Sequence, residues 1–597
     1  MRPLLKSLAP AFLALLLVGA PMQLWATIQV SLAPSLASPQ PVGTPVDWVA
    51  SASDTNPGTL VYRYSFGPSG GALAIVRDFS YAKNFTWVES VQEGTYQVQV
   101  TVKNLSTHET ATSNASFVIA PRATPSLPVV VTPTANPLVA LYSTTVCPVG
   151  YSVAVAFQAL GSPVTQYTPP RTCTGTTLNT YIAGMRANTF YVMTSCIYAG
   201  GVFWPITIGV GFMTGTPSGV SFPTTAVISP PPAGSEIRPV LLHSYIGTGY
   251  VETATDLAGN VIWYYGTTDH AYTTRVEAGG KMLMVFFGSN DPYQQPLKEI
   301  DLAGNTLLET NAGAIADQLV ALGAQPISSI HHEIRRLANG NFLLLGSVER
   351  MTPGVQGGAD VLGDEIVILD PNLQVIWYWN AFDHLDVNRA AILGEMCTNL
   401  APGCPPVKLA TVANDWLHSN AVDMGSDGNI IISLRHQDWI AKIDYANGTG
   451  TGAVLWRLGA NGDFTINSSD PSPWFSHAHD AHWELGTTQY LSLFDNGNTR
   501  HAADPAAHSR GQLLSIDETN HTASLVLNFD LGLYSAAVGT AQMLWDGNVI
   551  GVHYEAGAVN GGPLSQSITF YPSGIFELQS ASTTYRSFQL KDLYRPN

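Results

Sequence analysis

One local form recurs through the C-terminal part of the chain: a strand ending at or near an aspartate, a Gly/Asn/Pro turn, then a second strand rich in β-branched and aromatic residues. It occurs as "ETATDLAGNVIWYY", "LKEIDLAGNTLLET", "IVILDPNLQVIWYW", "IAKIDYANGTGTGAVLWRL", "LLSIDETNHTASLVLNF" and "SITFYPSGIFELQ", anchored at Asp256, Asp301, Asp370, Asp444, Asp517 and Tyr571. Turn chemistry of this kind makes each copy a β-hairpin. Several copies carry an upstream strand pair with its own turn, as in "HHEIRRLANGNFLLLG", "SNAVDMGSDGNIIISL" and "AHDAHWELGTTQYLSLF". Six copies of a four-strand unit specify a six-bladed β-propeller over residues 235–597. The anchors lie 45 to 74 residues apart. A blade needs about 40 residues, so the longer steps carry insertions. A tandem array of sandwiches would not explain the shared "GN" turns.

The preceding residues read as β structure of a different kind. Residues 27–122 alternate with period two in "LVYRYSF", "NFTWVES" and "TYQVQVTVKN", which suggests an immunoglobulin-type β-sandwich. Residues 123–136 are a Pro-rich linker. Residues 137–220 look like a second sandwich, similar to a fibronectin type III module, and residues 221–234 form another linker. The expected fold is therefore all-β, a six-bladed β-propeller preceded by two β-sandwich (immunoglobulin/fibronectin III-like) domains. With 45% hydrophobic and only 12% charged residues, and with 54 Gly and 39 Pro, the composition suits that class. A formal net charge of −17 excludes a nucleic-acid surface, which needs clustered Lys and Arg.

Residues 1–26 have the form of a secretory signal peptide, with Arg2 and Lys6 ahead of a short apolar run from Ala11 to Ala20. Cleavage near Ala26 would deliver a periplasmic or secreted protein, whereas an uncleaved segment would tether it to the membrane. Cysteines exported in this way meet an oxidising compartment. Cys397 and Cys404 enclose the short loop "CTNLAPGC" and are the natural pair, while the pairing of Cys147, Cys173 and Cys196 stays open.

Polar residues gather where apolar ones are expected. In "DWLHSNAVDM", His418 and Asn420 lie two apart, so strand periodicity points them the same way. Aligning the three upstream hairpins on their turns, with a one-residue offset in the third, stacks His332, Asn420 and His479, with Arg435 just past the turn on the neighbouring strand. Buried polar groups are costly unless satisfied, so such a set on channel-lining strands marks a functional site. Trp416, Trp474 and Phe475 are candidates to stack on an aromatic ligand near the mouth. "SHAHDAH" offers His477, His479 and His482 to a metal. Such a site needs further ligands and a supporting carboxylate, and none is expected here.

These same stretches carry a resemblance. "DWLHSNAVDM…DGNIIISLRHQDWIAKID…WRLG", with "HHEIRRLANGN" upstream and "HAHDAH" downstream, resembles bacterial arylsulfate sulfotransferases that do not use the nucleotide sulfate donor PAPS. The resemblance implies a six-bladed propeller behind a small β-sandwich domain. It implies transfer of a sulfuryl group from a phenolic sulfate ester to a phenol, through a sulfohistidine. His479 matches the nucleophile, and His418, Asn420 and Arg435 match the supporting site residues. The leading histidine matches His331 or His332, of which the hairpin alignment prefers His332. Cys397 and Cys404 match the short-spaced disulfide of some members. Two features depart from the pattern: Leu434 stands where serine is usual, and two sandwich domains precede the propeller.

The residue types suit that chemistry by themselves. A neutral imidazole can attack sulfur in line, splitting one transfer into two steps with ping-pong kinetics. A guanidinium offers a permanent fork for the sulfonyl oxygens. No glycine-rich phosphate loop opens a helix, so no cofactor is expected. The partners implied are a phenolic sulfate ester and a phenol acceptor, not nucleic acid, and a homodimer is compatible with them. The rival functions are an extracellular ligand- or carbohydrate-binding propeller and a polysaccharide lyase.

Overall fold

The computed structural model describes residues 27–595 apart from 175–176, 248, 268–270, 287–288 and 355–359. The signal-peptide expectation for residues 1–26 lies outside the described residues. The chain is all-β, with β-sheets throughout and two short α-helices, Ala312–Ala321 and Asn498–Ala503, among the described residues.

Six antiparallel sheets, each with a core of four strands, organise residues 240–590. One edge strand of each sheet is β1 (Ala271–Glu277), β2 (Ser329–Arg336), β3 (Ser419–Met424), β4 (His479–Trp483), β5 (Thr540–Trp545) or β6 (Thr584–Leu590). From β1 to β5 the sheet runs outward through the next three strands in chain order. The remaining sheet is assembled from both ends of the region: β6 pairs antiparallel with Val240–Tyr245, Leu242 opposite Phe588. β1 packs against β2, β2 against β3, β3 against β4, β4 against β5, and β6 against both β5 and β1. Apolar side chains fill the spaces between sheets, with Leu283, Ile330, Ile334 and Phe342 in one such core and Ile432, Trp379, Trp416 and Leu434 in the next.

The repeated aspartates have a physical explanation. Each of the five sits at the turn between the third and fourth strands, and four close it in the same way. Asp256 Oδ1 accepts from the backbone N–H of Ala258 and Asn260, Asp301 Oδ1 from Ala303 and Asn305, Asp370 Oδ1 from Asn372 and Gln374, and Asp517 Oδ1 from Thr519 and Asn520. Asp444 uses Oδ2 on the N–H of Thr451, across a longer loop. A short carboxylate is the side chain that can satisfy turn amides two to four residues ahead.

Ahead of these sheets, residues 29–120 form two sheets that share a core of Trp48, Tyr62, Tyr64, Phe85 and Phe117. The larger one continues into the first of the six sheets: Ala74–Ser80 pairs with Thr306–Asn311 at Arg77 and Glu309, which also form an ion pair at 3.1 Å. Residues 140–213 build a second pair of sheets around Tyr142, Val155, Phe157 and Met193. Parts of both expected linkers are strands. Val129–Pro133 pairs with Ala140–Thr144, and Thr225–Ser229 adds to the edge of the β5 sheet. Their β-branched runs suit pairing, and proline at a strand end costs no ladder bond.

The turn geometry gives a graded expectation. Asp301 is 7% exposed and binds two amides plus the Asn305 side chain, whereas Asp370 is more open. Asp301→Ala should lower stability by roughly 2–3 kcal/mol and Asp370→Ala by about 1 kcal/mol, in urea unfolding. Equal losses would show that burial does not set the strength of these turns.

Candidate active site

The first strands β2, β3 and β4 are interrupted at the same level. Pairing shifts between His331 and Ile334, between Ser419 and Ala421, and between His479 and His482. His332, His418, His477 and Asp480 take left-handed backbone angles, φ of 57°, 48°, 53° and 51°. Non-glycine residues hold this conformation at a cost that the surroundings must offset. The simple alternation expected for His418 and Asn420 therefore fails: His418 precedes the strand with positive φ, and Asn420 sits in the bulge. Their side chains part. Asn420 is fully buried and its amide donates to the Ala478 carbonyl at 2.8 Å, bracing the residue before His479.

His418 joins a chain of imidazoles. Its ring centroid lies 5.0 Å from that of His332 and 4.7 Å from that of His436, which in turn lies 5.5 Å from His477. His331 lies beside His332, with their Nδ1 atoms 2.8 Å apart. Asp415 supports this row. Its Oδ2 is 2.7 Å from His418 Nδ1, and its carbonyl accepts from His436 Nδ1 at 2.7 Å. Asp364 lies 3.1 Å from His331 Nε2 and accepts the Ser419 N–H, and these bonds hold its carboxyl below the ordinary value although burial opposes them. The backbone of His332 is clamped by two phenols: its N–H donates to Tyr272 Oη, and its carbonyl accepts from Tyr585 Oη at 2.8 Å.

His479 is 3% exposed. Its Nδ1 lies 2.6 Å from Asn496 Oδ1. The Asn496 amide nitrogen donates to the carbonyls of Ser535 and Val538 at 2.8 and 3.0 Å, so its oxygen must be the atom facing the histidine. The proton of His479 then sits on Nδ1 and the lone pair on Nε2. Burial pushes the His479 pKa well below the ordinary imidazole value, and the Arg435 charge adds to this. His332 is depressed by burial and by its neighbouring histidines, and His436 by burial, His418 and Arg435. His477 goes the other way: burial opposes its charge, but hydrogen bonds to Asp438 and Glu395 raise it.

Arg435 is half-buried beside this group. One Nη contacts His436 Nε2, the other donates to the Ala536 carbonyl at 3.1 Å, and its Nε is buried with no hydrogen-bond acceptor among the described residues. An unfilled guanidinium donor next to a neutral imidazole is a place for an anionic oxygen.

A cavity of 370 Å³ opens over the row, lined by His331, His332, His418, Tyr272 and Tyr585 on one side and by Leu400–Pro406 on the other. His479, Arg435 and Asn420 lie outside its lining. The Leu400–Pro406 segment is tied down by the Cys397–Cys404 disulfide. A second disulfide joins Cys147 to Cys173, leaving Cys196 free and buried. The aromatic residues expected at the mouth are packing groups instead. Trp416 is 1% exposed and donates to the Arg389 carbonyl at 2.9 Å, while Phe475 and Trp474 belong to the core between sheets.

A metal on His477, His479 and His482 would need their rings to converge. The structure separates them: His477 binds Glu395 and Asp438, His479 binds Asn496, and His482 lies 3.2 Å from Glu484. Asp415, His418 and His436, and likewise Glu395, His436 and His477, bring ligand atoms within 4.8 Å of one another. Those nitrogens already bond to Asp415, Arg435 and Glu395, and the guanidinium cation stands among them. The donor sets suit hydrogen bonding better than a cation.

Several of these residues escaped the sequence: Asn496, His436, Asp415, Asp364, Tyr272 and Tyr585. Only His436, adjacent to Arg435 in "LRHQ", had a local signal. Asn496 lies in "DNGN" and reads as a turn.

A family model for arylsulfotransferase (ASST) matches residues 246–584, which hold most of the six sheets and every residue of the site except Tyr585. The chain belongs to the arylsulfotransferase family. It is an aryl-sulfate sulfotransferase, and its substrates are a sulfate ester donor and a phenolic acceptor. No curated protein matches the chain. Among solved structures, it is similar to the FN1–FN3 domains of chicken CNTN1, at 13% identity over 31% of this chain and 67% of that one, with a TM-score of 0.13. It is also similar to a two-domain fibronectin type III segment of chicken tenascin, at 12% identity over 31% of this chain and 98% of that one, with a TM-score of 0.15. Scores this low carry no argument about the fold.

The depressed histidines link the site to stability. An unfolded chain titrates its histidines near pH 6.5, whereas the folded chain holds His332, His436 and His479 neutral there. Below that pH the unfolded state binds more protons, so each of the three costs stability as pH falls from about 6.5 toward its lower folded value. His477 and His482, raised in the fold, act in the opposite sense. His436→Gln should therefore lose less melting temperature than the parent between about pH 7.5 and about pH 5.5. Equal slopes would show that His436 takes up its proton without unfolding.

Proposed function

We propose that this enzyme moves the sulfuryl group by a ping-pong reaction through a sulfohistidine on His479. The observation that carries the reading is the bond from His479 Nδ1 to Asn496, which leaves the Nε2 lone pair as the only nucleophilic position of a neutral ring. In the first half, Nε2 attacks the sulfur of the aryl sulfate, the N–S bond forms and the S–O(aryl) bond breaks. His418, oriented by Asp415 at 2.7 Å, protonates the departing phenolate. In the second half, the acceptor phenol gives its proton to His418 and attacks the sulfur, and the S–N bond breaks.

Sulfuryl transfer disperses charge over three equatorial oxygens, so positioning and electrostatic stabilisation supply most of the rate. The unfilled Nε–H of Arg435 and the imidazole of His332 meet those oxygens. His331 holds His332 in place, and Asn420 does the same for the strand carrying His479. The 370 Å³ cavity, between Tyr272, Tyr585 and the Leu400–Pro406 segment, takes the phenol ring.

In this reading the six sheets are blades of a six-bladed propeller over residues 235–597. The sequence of packed first strands and the two-ended β6 sheet support it. The layers at 27–122 and 137–220 are two β-sandwich domains. Export to the periplasm or outside is supported by two disulfides. Among the described residues, no helix is long and apolar enough to cross a membrane.

His479→Ala should release no nitrophenol from p-nitrophenyl sulfate, with or without a phenol acceptor. Mass spectrometry of the parent, quenched under excess donor without acceptor, should find an acid-labile sulfonate on His479. Turnover without that adduct would defeat the covalent route. Asn496→Ala should slow the first half-reaction by about tenfold or more, the effect of losing one hydrogen bond of roughly 1.4 kcal/mol that sets the tautomer. A parental rate would mean that the tautomer is fixed by something else.

A further inference from the structure

Beneath the histidines lies a group of charges that the transfer steps do not use. Glu333 directly follows His332, Asp480 directly follows His479, and both are fully or almost fully buried, at 0% and 1% exposure. Arg586 on β6 stands between them. Its Nη2 lies 2.9 Å from Glu333 Oε2 and 3.6 Å from Asp480 Oδ1, and donates to the Asn420 carbonyl at 3.2 Å. Its Nη1 donates to the Thr274 carbonyl at 3.2 Å. Arg275 on β1 bridges the same two carboxylates, at 2.8 and 3.0 Å. One guanidinium thus touches β1, β2, β3 and β4, and on three of these it grips a site residue or the residue next to one.

A purely stabilising role is a poor account of this arrangement. Buried ion pairs gain little over apolar side chains of the same volume, because desolvation offsets their attraction. What a guanidinium adds is geometry, since its planar fork accepts partners only in fixed directions. Geometry is what these strands lack. His332 and Asp480 hold left-handed angles, and β2 and β4 both lose register there, so the ladder alone does not fix where the two histidines sit. Such strained backbone persists only where its surroundings over-determine it. Arg275 faces a second cavity of 710 Å³ on the far side, lined also by Arg238, Arg335, His482 and Glu484, and is 15% exposed. Of the two guanidiniums, Arg586, at 1%, is the one that water does not reach.

We propose that Arg586 is a positioning residue for sulfuryl transfer, a clamp that sets the spacing of His332 and His479 by holding the carboxylate next to each and the carbonyl of Asn420. The proposal rests on His479 as nucleophile. Arg586→Lys keeps the charge and loses the fork. With excess p-nitrophenyl sulfate and no acceptor, the amplitude of first-turnover nitrophenol release counts reacting sites, and its rate constant reports their alignment. Arg586→Lys should keep full amplitude and a KM within about twofold, while the rate constant falls about tenfold or more, as expected of a misplaced reacting pair. A merely structural role would lower amplitude and melting temperature together and leave the rate constant of the remaining sites unchanged. That result, or a parental rate constant, overturns the clamp. Should Arg586→Lys fail to fold, Glu333→Gln and Asp480→Asn, which each remove one anchor, decide by the same two quantities. A parent that turns over without a sulfonate on His479 defeats the sulfohistidine reading instead. The clamp is then judged on steady-state kinetics of Arg586→Lys: a fall in kcat at constant KM supports it, and an unchanged kcat overturns it.

Discussion

The strand Thr584–Leu590 hydrogen-bonds to Val240–Tyr245 and so completes a sheet whose other strands were laid down more than three hundred residues earlier in the chain. A free innermost strand at this point would leave a row of unpaired backbone groups and an open flank in the apolar layers on both sides. Its pairing closes that gap and brings Tyr585 and Arg586 into contact with the middle of the molecule. Tyr585 reaches the carbonyl of His332, and Arg586 reaches Glu333, Asn420 and Asp480. The strand Thr584–Leu590 thus supplies contacts to three strands that carry the site.

The site is built from strained backbone and unusually dense polar burial. Left-handed angles at His332, His418, His477 and Asp480 turn imidazoles out of the ladder and toward one another. A row of histidines at ring distances near 5 Å would repel if charged, and burial keeps His332, His436 and His479 neutral, with Arg435 adding to it at the last two. Neutral rings are the ones that can act as nucleophiles or as orienting donors. The carboxylates Asp364 and Asp415 take the complementary part by fixing which ring nitrogen carries the proton.

Much of this was legible in the sequence, for reasons that can be named. The aspartates at 256, 301, 370, 444 and 517 mark hairpin turns because their side chains bind amides a few residues ahead, and such local chemistry leaves a local pattern. His332, His418, His479 and Arg435 stood out as polar residues within apolar strands. Asn496, Tyr272 and Tyr585 did not, because in sequence they are a turn asparagine and two ordinary strand aromatics. The shared direction of His418 and Asn420 was misread because period-two alternation assumes a regular strand, and this one is bulged between Ser419 and Ala421. The aromatic mouth was misplaced for a similar reason: Trp416 and Phe475 pack between sheets, which no single strand can reveal.

By itself the sequence determined the all-β class, the hairpin repeat and the histidines worth watching, since strand periodicity, turn residues and misplaced polarity all act within a few neighbouring residues. The tertiary structure decided which histidine is buried against an amide oxygen, which lines the cavity, and which charges hold them apart. Those outcomes depend on contacts such as His479 with Asn496, or Arg586 with Glu333 and Asp480, made between separate strands. Tautomer, protonation and spacing are properties of such contacts, so they exist only once the sheets have packed.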